Sequence, residues 1–250
     1  MADSHAHVLA LAPGWDREAV RVGLRAVGAV ASDSAEIQAL LAYTAALPLC
    51  RVVGWHPERR HAEDRSALER FLARLRPSGI HAVGEIGWPR WAAPGERPAL
   101  ERQAAWLVPA WLAWAREWDK PVVVHAVGAD AVRRMLLWLR RYGVRRAVFH
   151  WHKAPAAWTA AVLAEGYFVG VTPEVAWRTR DAVWARWARP DRVLWETDAP
   201  WGHGGQPQSA PADVLAVAEG LSRWWRVPVE RVAAWHTEAW RAFWGISDGP

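Results

Sequence analysis

The stretch P-V-V-V-H at residues 121–125 shows a pattern that recurs along the whole chain. A short apolar run rich in valine leads directly into one polar side chain. Because the three valines do not alternate with polar residues, the run is typical of a strand buried on both faces, as in a parallel sheet. His125 then stands where the strand ends.

Seven similar runs predict further strands, and the segments between them read mostly as helix. For example, Leu68, Phe71, Leu72 and Leu75 mark one apolar helix face at spacings of three and four. The predicted strands cover residues 3–8, 24–31, 49–54, 80–85, 121–126, 146–150, 166–171 and 192–197.

Eight alternating β and α units favour a (β/α)8 TIM barrel of parallel strands with helices outside. The 250 residues fit a single domain spanning 1–250, and no linker is visible. An open doubly wound sheet is the alternative, but no glycine-rich dinucleotide fingerprint follows the first strand. Pro109 falls inside the predicted helix 98–118, where it should kink or split the helix.

Polar residues of metal-ligand type stand at five of the predicted strand ends. Since the carboxyl ends of barrel strands meet at one rim, these side chains should gather there. His5 and His7 lie two residues apart and so point the same way. The residues are His5, His7, Glu85, His125, His150 and Asp198.

Imidazoles mixed with carboxylates suit Zn²⁺, Mn²⁺, Co²⁺ or Ni²⁺, whereas an all-oxygen site would suit Mg²⁺ or Ca²⁺. Six ligands exceed one tetrahedral site, but two ions sharing a carboxylate would use them all. A lone histidine in a barrel strand is usually a hydrogen-bonded core residue. Four histidines and two carboxylates at five strand ends are harder to explain in that way, because uncompensated buried charge is costly.

Composition narrows the class of protein. The single cysteine, Cys50, excludes an intrachain disulfide framework and favours a reducing cytoplasm. The N-terminus lacks the basic and apolar regions of a secretory signal, and no apolar stretch is long enough to span a bilayer, so no membrane contact is expected. The net charge of +5 is compatible with a polyanionic substrate.

Six segments together resemble the TatD-type deoxyribonuclease family of the metal-dependent hydrolase superfamily. They are D-S-H-A-H at 3–7, G-W-H-P at 54–57, V-G-E-I-G at 83–87, P-V-V-V-H at 121–125, F-H-W-H at 149–152 and E-T-D-A-P-W at 196–201. The resemblance implies that the six residues named above are metal ligands, with Glu85 shared between two ions. It also implies hydrolysis of phosphodiester bonds, typically trimming DNA from an end.

The chain departs from the family pattern around the rim of the barrel. The family usually continues G-E-I-G with Leu-Asp-Tyr, and this chain has Trp88, Pro89 and Arg90 instead. The family often has an arginine two residues after the fifth-strand histidine, where this chain has Val127. These changes spare the ligands but alter the surface that faces a substrate.

Four further residues are candidates for substrate binding. His56 follows the third strand and could hydrogen-bond a phosphate or a bound water, or simply pack beside Pro57. Arg90 and Lys153 occupy predicted loops and could hold phosphates, although solvated charge is the commoner role. Trp201 follows the last strand and could stack on a nucleobase, but the chain has 21 tryptophans.

The sequence thus predicts a phosphodiesterase that binds two divalent ions (Zn²⁺, Mn²⁺, Co²⁺, Ni²⁺ or Mg²⁺) and acts on single-stranded DNA or DNA ends. Asp198 would hold one ion and position or deprotonate the attacking water, and Glu85 would bridge. Glu196, one layer deeper, could orient a ligand. The alternatives are a hydrolase of a small ester, lactone or amide, and a metal or nucleic-acid binding protein without activity.

Overall fold

The computed structural model describes residues 1–62, 64–178 and 188–246. It contains eight parallel strands, each paired with the next along the chain, so the predicted barrel of parallel strands is confirmed. The strands are β1 (Ala2–Ala6), β2 (Ala26–Ala31), β3 (Leu49–Val53), β4 (Ala82–Gly87), β5 (Val122–His125), β6 (Ala147–Phe149), β7 (Phe168–Val171) and β8 (Val193–Trp195).

Backbone hydrogen bonds bring the chain after β8 back to β1. The N–H of Asp198 donates to the carbonyl of His5 at 2.8 Å, and the N–H of His7 donates to the carbonyl of Ala199 at 2.7 Å. These bonds nearly close the ring of strands. They also fix Asp198 beside the two histidines of the first strand.

Eight α-helices are described around the strands, between and after them. They are α1 (Trp15–Arg21), α2 (Ser34–Ala42), α3 (Arg65–Arg74), α4 (Arg97–Glu117), α5 (Ala129–Arg141), α6 (Ala156–Ala164), α7 (Leu215–Trp225) and α8 (Val229–Trp244).

Pro109 lies within α4, which continues through it, so the predicted split is wrong. Proline removes only one backbone hydrogen bond of the ladder. The buried side chains of Leu107, Val108 and Trp111 pack this part of α4 against the core and favour the uninterrupted helix.

The interior of the barrel is filled by apolar side chains and closed at its amino end by the last helix. Val52, Val123 and Phe168 pack inside it together with Trp240 and Phe243 of α8. The opposite, carboxyl end is where the polar side chains lie. Among the described residues, no helix combines the length and apolar character that a membrane crossing requires. A cytoplasmic location and a single domain over 1–250 stay predictions.

Candidate metal centre

The six strand-end residues meet at the carboxyl end of the barrel, around the carboxylate of Glu85. One oxygen of that carboxylate, Oε2, lies 3.4 Å from Nε2 of His5 and 3.8 Å from Nε2 of His7. Both of these histidine atoms also lie 3.4 Å from Oδ1 of Asp198. Two imidazoles and two carboxylate oxygens therefore face one small space.

The other oxygen of Glu85, Oε1, faces a second group of imidazoles. It lies 2.5 Å from Nδ1 of His125, 3.4 Å from Nε2 of His56 and 3.6 Å from Nε2 of His150. His150 also reaches Asp198, with 3.7 Å between its Nε2 and Oδ2. Glu85 thus stands between two sets of nitrogen ligands, one on each side of its carboxylate.

The spacing of these atoms fits metal coordination. Two ligands about 2.1 Å from one ion, at tetrahedral or octahedral angles, lie about 3.0–3.4 Å apart. Three groups within the site have ligand atoms close enough to hold an ion: His5 with His150 and Asp198, His5 with His7 and Glu85, and His56 with Glu85 and His125.

Unpartnered polar atoms in the site point the same way. Within the part of the chain that the structure describes, both ring nitrogens of His5 and Oδ1 of Asp198 are buried without a hydrogen bond. Buried polar atoms normally have partners, and each exception needs an explanation. A divalent ion would supply the missing partner, so the donor set fits the group that the sequence predicts.

The sequence predicts for His56 either a contact with a phosphate or a bound water, or a packing role beside Pro57. The structure places its ring in the group around Oε1 of Glu85, together with His125. The N–H of its backbone donates to the carbonyl of Ser32 at 3.0 Å, which fixes the loop after β3 against the end of β2. His56 is therefore a seventh candidate ligand. The signal was present in G-W-H-P, directly after a buried strand.

Glu196 lies beneath the site, as the alternation along the last strand indicated. Its Oε1 is 3.1 Å from Nδ1 of His150 and accepts the N–H of Trp151. Gly170 in β7 makes room for this carboxylate, because a Cβ there would lie 2.3 Å from Oε1 of Glu196. A fixed partner on the far side of an imidazole sets the orientation of the ring.

Glu58 is a site residue that the sequence did not reveal. Its Oε1 lies 3.2 Å from Nε2 of His125, on the opposite side of the ring from Glu85. The same carboxylate accepts backbone N–H groups of Arg90, Trp91 at 2.9 Å and Ala92 at 3.0 Å. Glu58 therefore connects a candidate ligand to the loop that follows β4.

Electrostatics keep protons on two of the imidazoles in the metal-free protein. Burial lowers the pKa of His150, but the charges of Glu85, Glu196 and Asp198 outweigh it and raise that pKa to about 10. Burial likewise opposes protonation of His125, and the carboxylates of Glu85 and Glu58 raise its pKa to about 9. A cation is thus favoured between these carboxylates, whether it is a proton or a metal ion.

A cavity of about 350 Å³ opens above the candidate ligands. Lys153 and Trp201 line it, as does Trp91, which is 65% exposed. The ammonium of Lys153 lies 3.1 Å from Oε2 of Glu174 and 4.0 Å from the centre of the Trp151 ring. Arg90 is exposed, and its backbone N–H, through Glu58, is what connects it to the site. The substrate contacts of these residues stay predictions.

Two bacterial proteins, one of them also with a solved structure, show what the chain is similar to. It is 29% identical over 183 residues to an uncharacterized metal-dependent hydrolase of Haemophilus influenzae, with 72% of each chain covered. It is 29% identical over 197 residues to the uncharacterized metal-dependent hydrolase YjjV of Escherichia coli, covering 74% of this chain and 73% of that protein. The crystal structure of YJJV, described as a TatD homolog, superposes with a TM-score of 0.82 at 23% identity, covering 98% of both chains.

The family profile described as "TatD related DNase" matches residues 2–245, which include every candidate ligand. The match runs from the first strand to the end of the last helix, and the fold is that of the E. coli TatD homolog. The chain therefore belongs to the TatD-related DNase family and is a metal-dependent hydrolase of the TatD type.

Proposed function

We propose that the protein hydrolyses phosphodiester bonds in DNA, from an end or in single strands, with two divalent ions at the rim of its barrel. The observation that carries the proposal is the position of Glu85. Its two carboxylate oxygens face different sets of imidazoles, which is the arrangement a bridging carboxylate requires.

The chain offers each ion a distinct set of ligands. His5 and His7 with Asp198 would hold one ion, and His125 and His150 would hold the other, with Glu85 shared. His56 is placed to join the second set. Nitrogen-rich sites of this kind suit Zn²⁺, Mn²⁺, Co²⁺ or Ni²⁺ better than Mg²⁺, although Mg²⁺ belongs in any test.

Bound divalent ions lower the pKa of a coordinated water and withdraw charge from a phosphoryl oxygen. Asp198 would orient the attacking water and take its proton, because its Oδ1 is turned into the site and has no hydrogen bond within the described residues. Glu196 would keep the His150 ring in place from below. Lys153, on the cavity wall, would attract a phosphate.

One observation favours the second candidate, a hydrolase of small esters, lactones or amides. The metal cavity has aromatic walls and Val127 where the family often has arginine, and Lys153 is its one lysine or arginine among the described lining residues. That ammonium is already paired with Glu174. A cavity with aromatic walls, whose one lysine is already paired, also suits an uncharged substrate.

Cleavage of an end-labelled single-stranded oligonucleotide tests the proposal. Metal-free protein is reloaded with Zn²⁺, Mn²⁺, Co²⁺, Ni²⁺ or Mg²⁺, bound metal is counted, and E85Q and D198N are compared with the wild type. E69Q is a matched control, because Glu69 lies on the exposed surface of α3.

We expect a metal-dependent ladder of products that the wild type and E69Q give and that E85Q and D198N lose while remaining folded. Two bound ions without cleavage of DNA, but with turnover of a panel of small esters, would favour the second candidate. Two bound ions with neither activity would indicate a binding protein. Absence of metal binding would refute the proposed centre itself.

A further inference from the structure

A second cavity, of about 690 Å³, adjoins the metal cavity on the side of β1, β2 and β3. The two cavities share His7, His56, Glu58 and Trp201 as lining residues. A molecule bound at the metal centre can therefore continue into the second cavity. The volume lies within the range of about 300–1,000 Å³ that ligand pockets have.

The walls of the second cavity are mainly apolar. Leu9 comes from the segment after β1, Val30 from β2, Ala35 and Ala39 from α2, and Pro200 from the segment after β8. The two alanines are exposed, and their methyl groups project little from the surface of α2. A flat apolar group could lie against them without displacing any side chain.

Arg59 is the one arginine or lysine among the described residues that line this cavity, and two carboxylates already pair with it. The guanidinium of Arg59 lies 3.0 Å from the carboxylate of Asp33 and 2.7 Å from that of Glu36. The second oxygen of Glu36 accepts the N–H of Ser32 at 2.8 Å. A phosphate would compete with two carboxylates for one guanidinium, so the cavity suits an uncharged group better than an anion.

Trp201 lines both cavities, and most of its side chain is exposed. It is 63% exposed. Its backbone is nevertheless fixed, since its N–H donates to the carbonyl of Asp198 at 3.0 Å and its carbonyl accepts the hydroxyl of Ser209 at 2.6 Å. An exposed indole on a fixed backbone, three residues from a candidate ligand, is suited to stack on a planar ring.

We propose that the second cavity is a nucleobase subsite, in which the base next to the scissile phosphate stacks on the indole of Trp201. This inference rests on the proposed hydrolysis of DNA. The phosphate would remain at the metal centre, and the neutral base would enter the apolar cavity beside it. Because stacking uses the face of the ring, the subsite should accept all four bases.

The test compares two oligonucleotides that differ in a single base. One is complete, and the other carries an abasic residue beside the phosphate that is cleaved. Metal-loaded wild type and W201A are assayed on both, with W118A as the control, because Trp118 is an exposed tryptophan just after α4. For the wild type, removal of the base should lower kcat/KM by about 5- to 150-fold, which is the effect expected when base–aromatic stacking is lost.

W201A should lose the same factor on the complete oligonucleotide and little on the abasic one, whereas W118A should behave as the wild type. A second variant, A39W, places an indole in the cavity from α2 and leaves Trp201 unsubstituted, and it should raise KM for the complete oligonucleotide only. If the wild type cleaves both oligonucleotides equally and W201A and A39W change nothing, the subsite is refuted while the nuclease stands. If metal-loaded wild type cleaves neither, the proposed function fails, and the subsite with it.

Discussion

Replacement of Glu58 should loosen both the metal centre and the loop after β4. The carboxylate accepts three successive backbone N–H groups, those of residues 90, 91 and 92, and lies 3.2 Å from Nε2 of His125. A glutamine at this position has one acceptor oxygen. The oxygen that faces residues 90 and 91 can be kept, but the amide NH2 would then oppose the N–H of Ala92.

The magnitude follows from these contacts. Hydrogen bonds to a charged group contribute about 1.5–3 kcal/mol each, and partial exposure of Glu58 reduces that. E58Q should therefore lower the free energy of unfolding by about 1–2 kcal/mol and E58A by about 3 kcal/mol. In a chain of this length 1 kcal/mol corresponds to about 2–4 °C in Tm, so we expect losses of about 2–8 °C and 6–12 °C.

The pKa of Glu58 reports the same contacts in a second way. Burial would raise the pKa of Glu58, but the hydrogen bonds from His125 and the backbone lower it from 4.5 to about 2. That difference is on the order of 3 kcal/mol before screening by solvent and about 2 kcal/mol after it. Since the pKa is lower in the folded state, the stabilisation is complete above pH 4.5 and is lost as the pH falls toward 2.

Thermal unfolding of the metal-free protein at pH 7, 5 and 3 measures both effects. The difference in Tm between the wild type and E58Q should be largest at pH 7 and 5 and smaller at pH 3. Metal affinity of E58Q, titrated at pH 7, should fall about 10- to 100-fold, as it does when the outer partner of a ligand is removed. E69Q is the control for loss of a surface carboxylate. If E58Q melts within 1 °C of E69Q at pH 7, about the scatter expected for a surface change, the contacts of Glu58 do not stabilise the fold.

Three further predictions concern proton release on metal binding, the stability of H236Q and the metal affinity of G170A. Because the pKa values of His125 and His150 are about 9 and about 10, both rings carry protons at pH 7. Calorimetry in buffers of different ionisation enthalpy should show that about two protons are released when metal binds. A metal affinity that stays constant from pH 6 to 8 would contradict this prediction. Burial lowers the pKa of His236 to about 3, so its neutral ring stabilises the fold fully above pH 6.5 and less as the pH falls toward 3. Between pH 6.5 and 4.5, the free energy of unfolding measured in urea should therefore fall less for H236Q than for the wild type. Equal decreases would exclude this role of His236. G170A places a Cβ 2.3 Å from the carboxylate of Glu196, which supports His150, and should lower metal affinity about 10- to 100-fold. The control G95A, which has no atom within 4 Å of its Cβ, should bind metal as the wild type does.

The strands and the six strand-end residues could be predicted because their signals are local. A run such as Val122–Val124 is so apolar that it is expected to be buried on both faces of the sheet. The polar residue that follows it then lies where the strand ends, at the rim of the barrel. Eight such runs with helices between them leave few topologies. The positions of His5, His125 and Asp198 around one centre then follow from the barrel itself.

Contacts between loops could not be predicted in the same way. Glu58 lies five residues beyond the end of β3, where no periodicity indicates a direction, and its partners lie more than thirty residues away. The unbroken course of α4 through Pro109 could not be predicted either, because tertiary packing that the sequence does not display opposes the local preference. The second cavity depends on loops from three strands and the segment around Trp201, and no single segment carries a signal for it.

The charged groups at the rim come from neighbouring loops as well as from the motif of each strand. The segment after β4 has Pro89 where the family usually has aspartate, so this position contributes no carboxylate. The structure shows that a carboxylate from the neighbouring loop, that of Glu58, meets this segment instead. Similarly, Val127 forms a backbone bridge with Lys153, so the cation on this part of the rim comes from the next strand. In a barrel the rim is shared by adjacent loops, and a charge absent from one motif can be supplied by its neighbour in space.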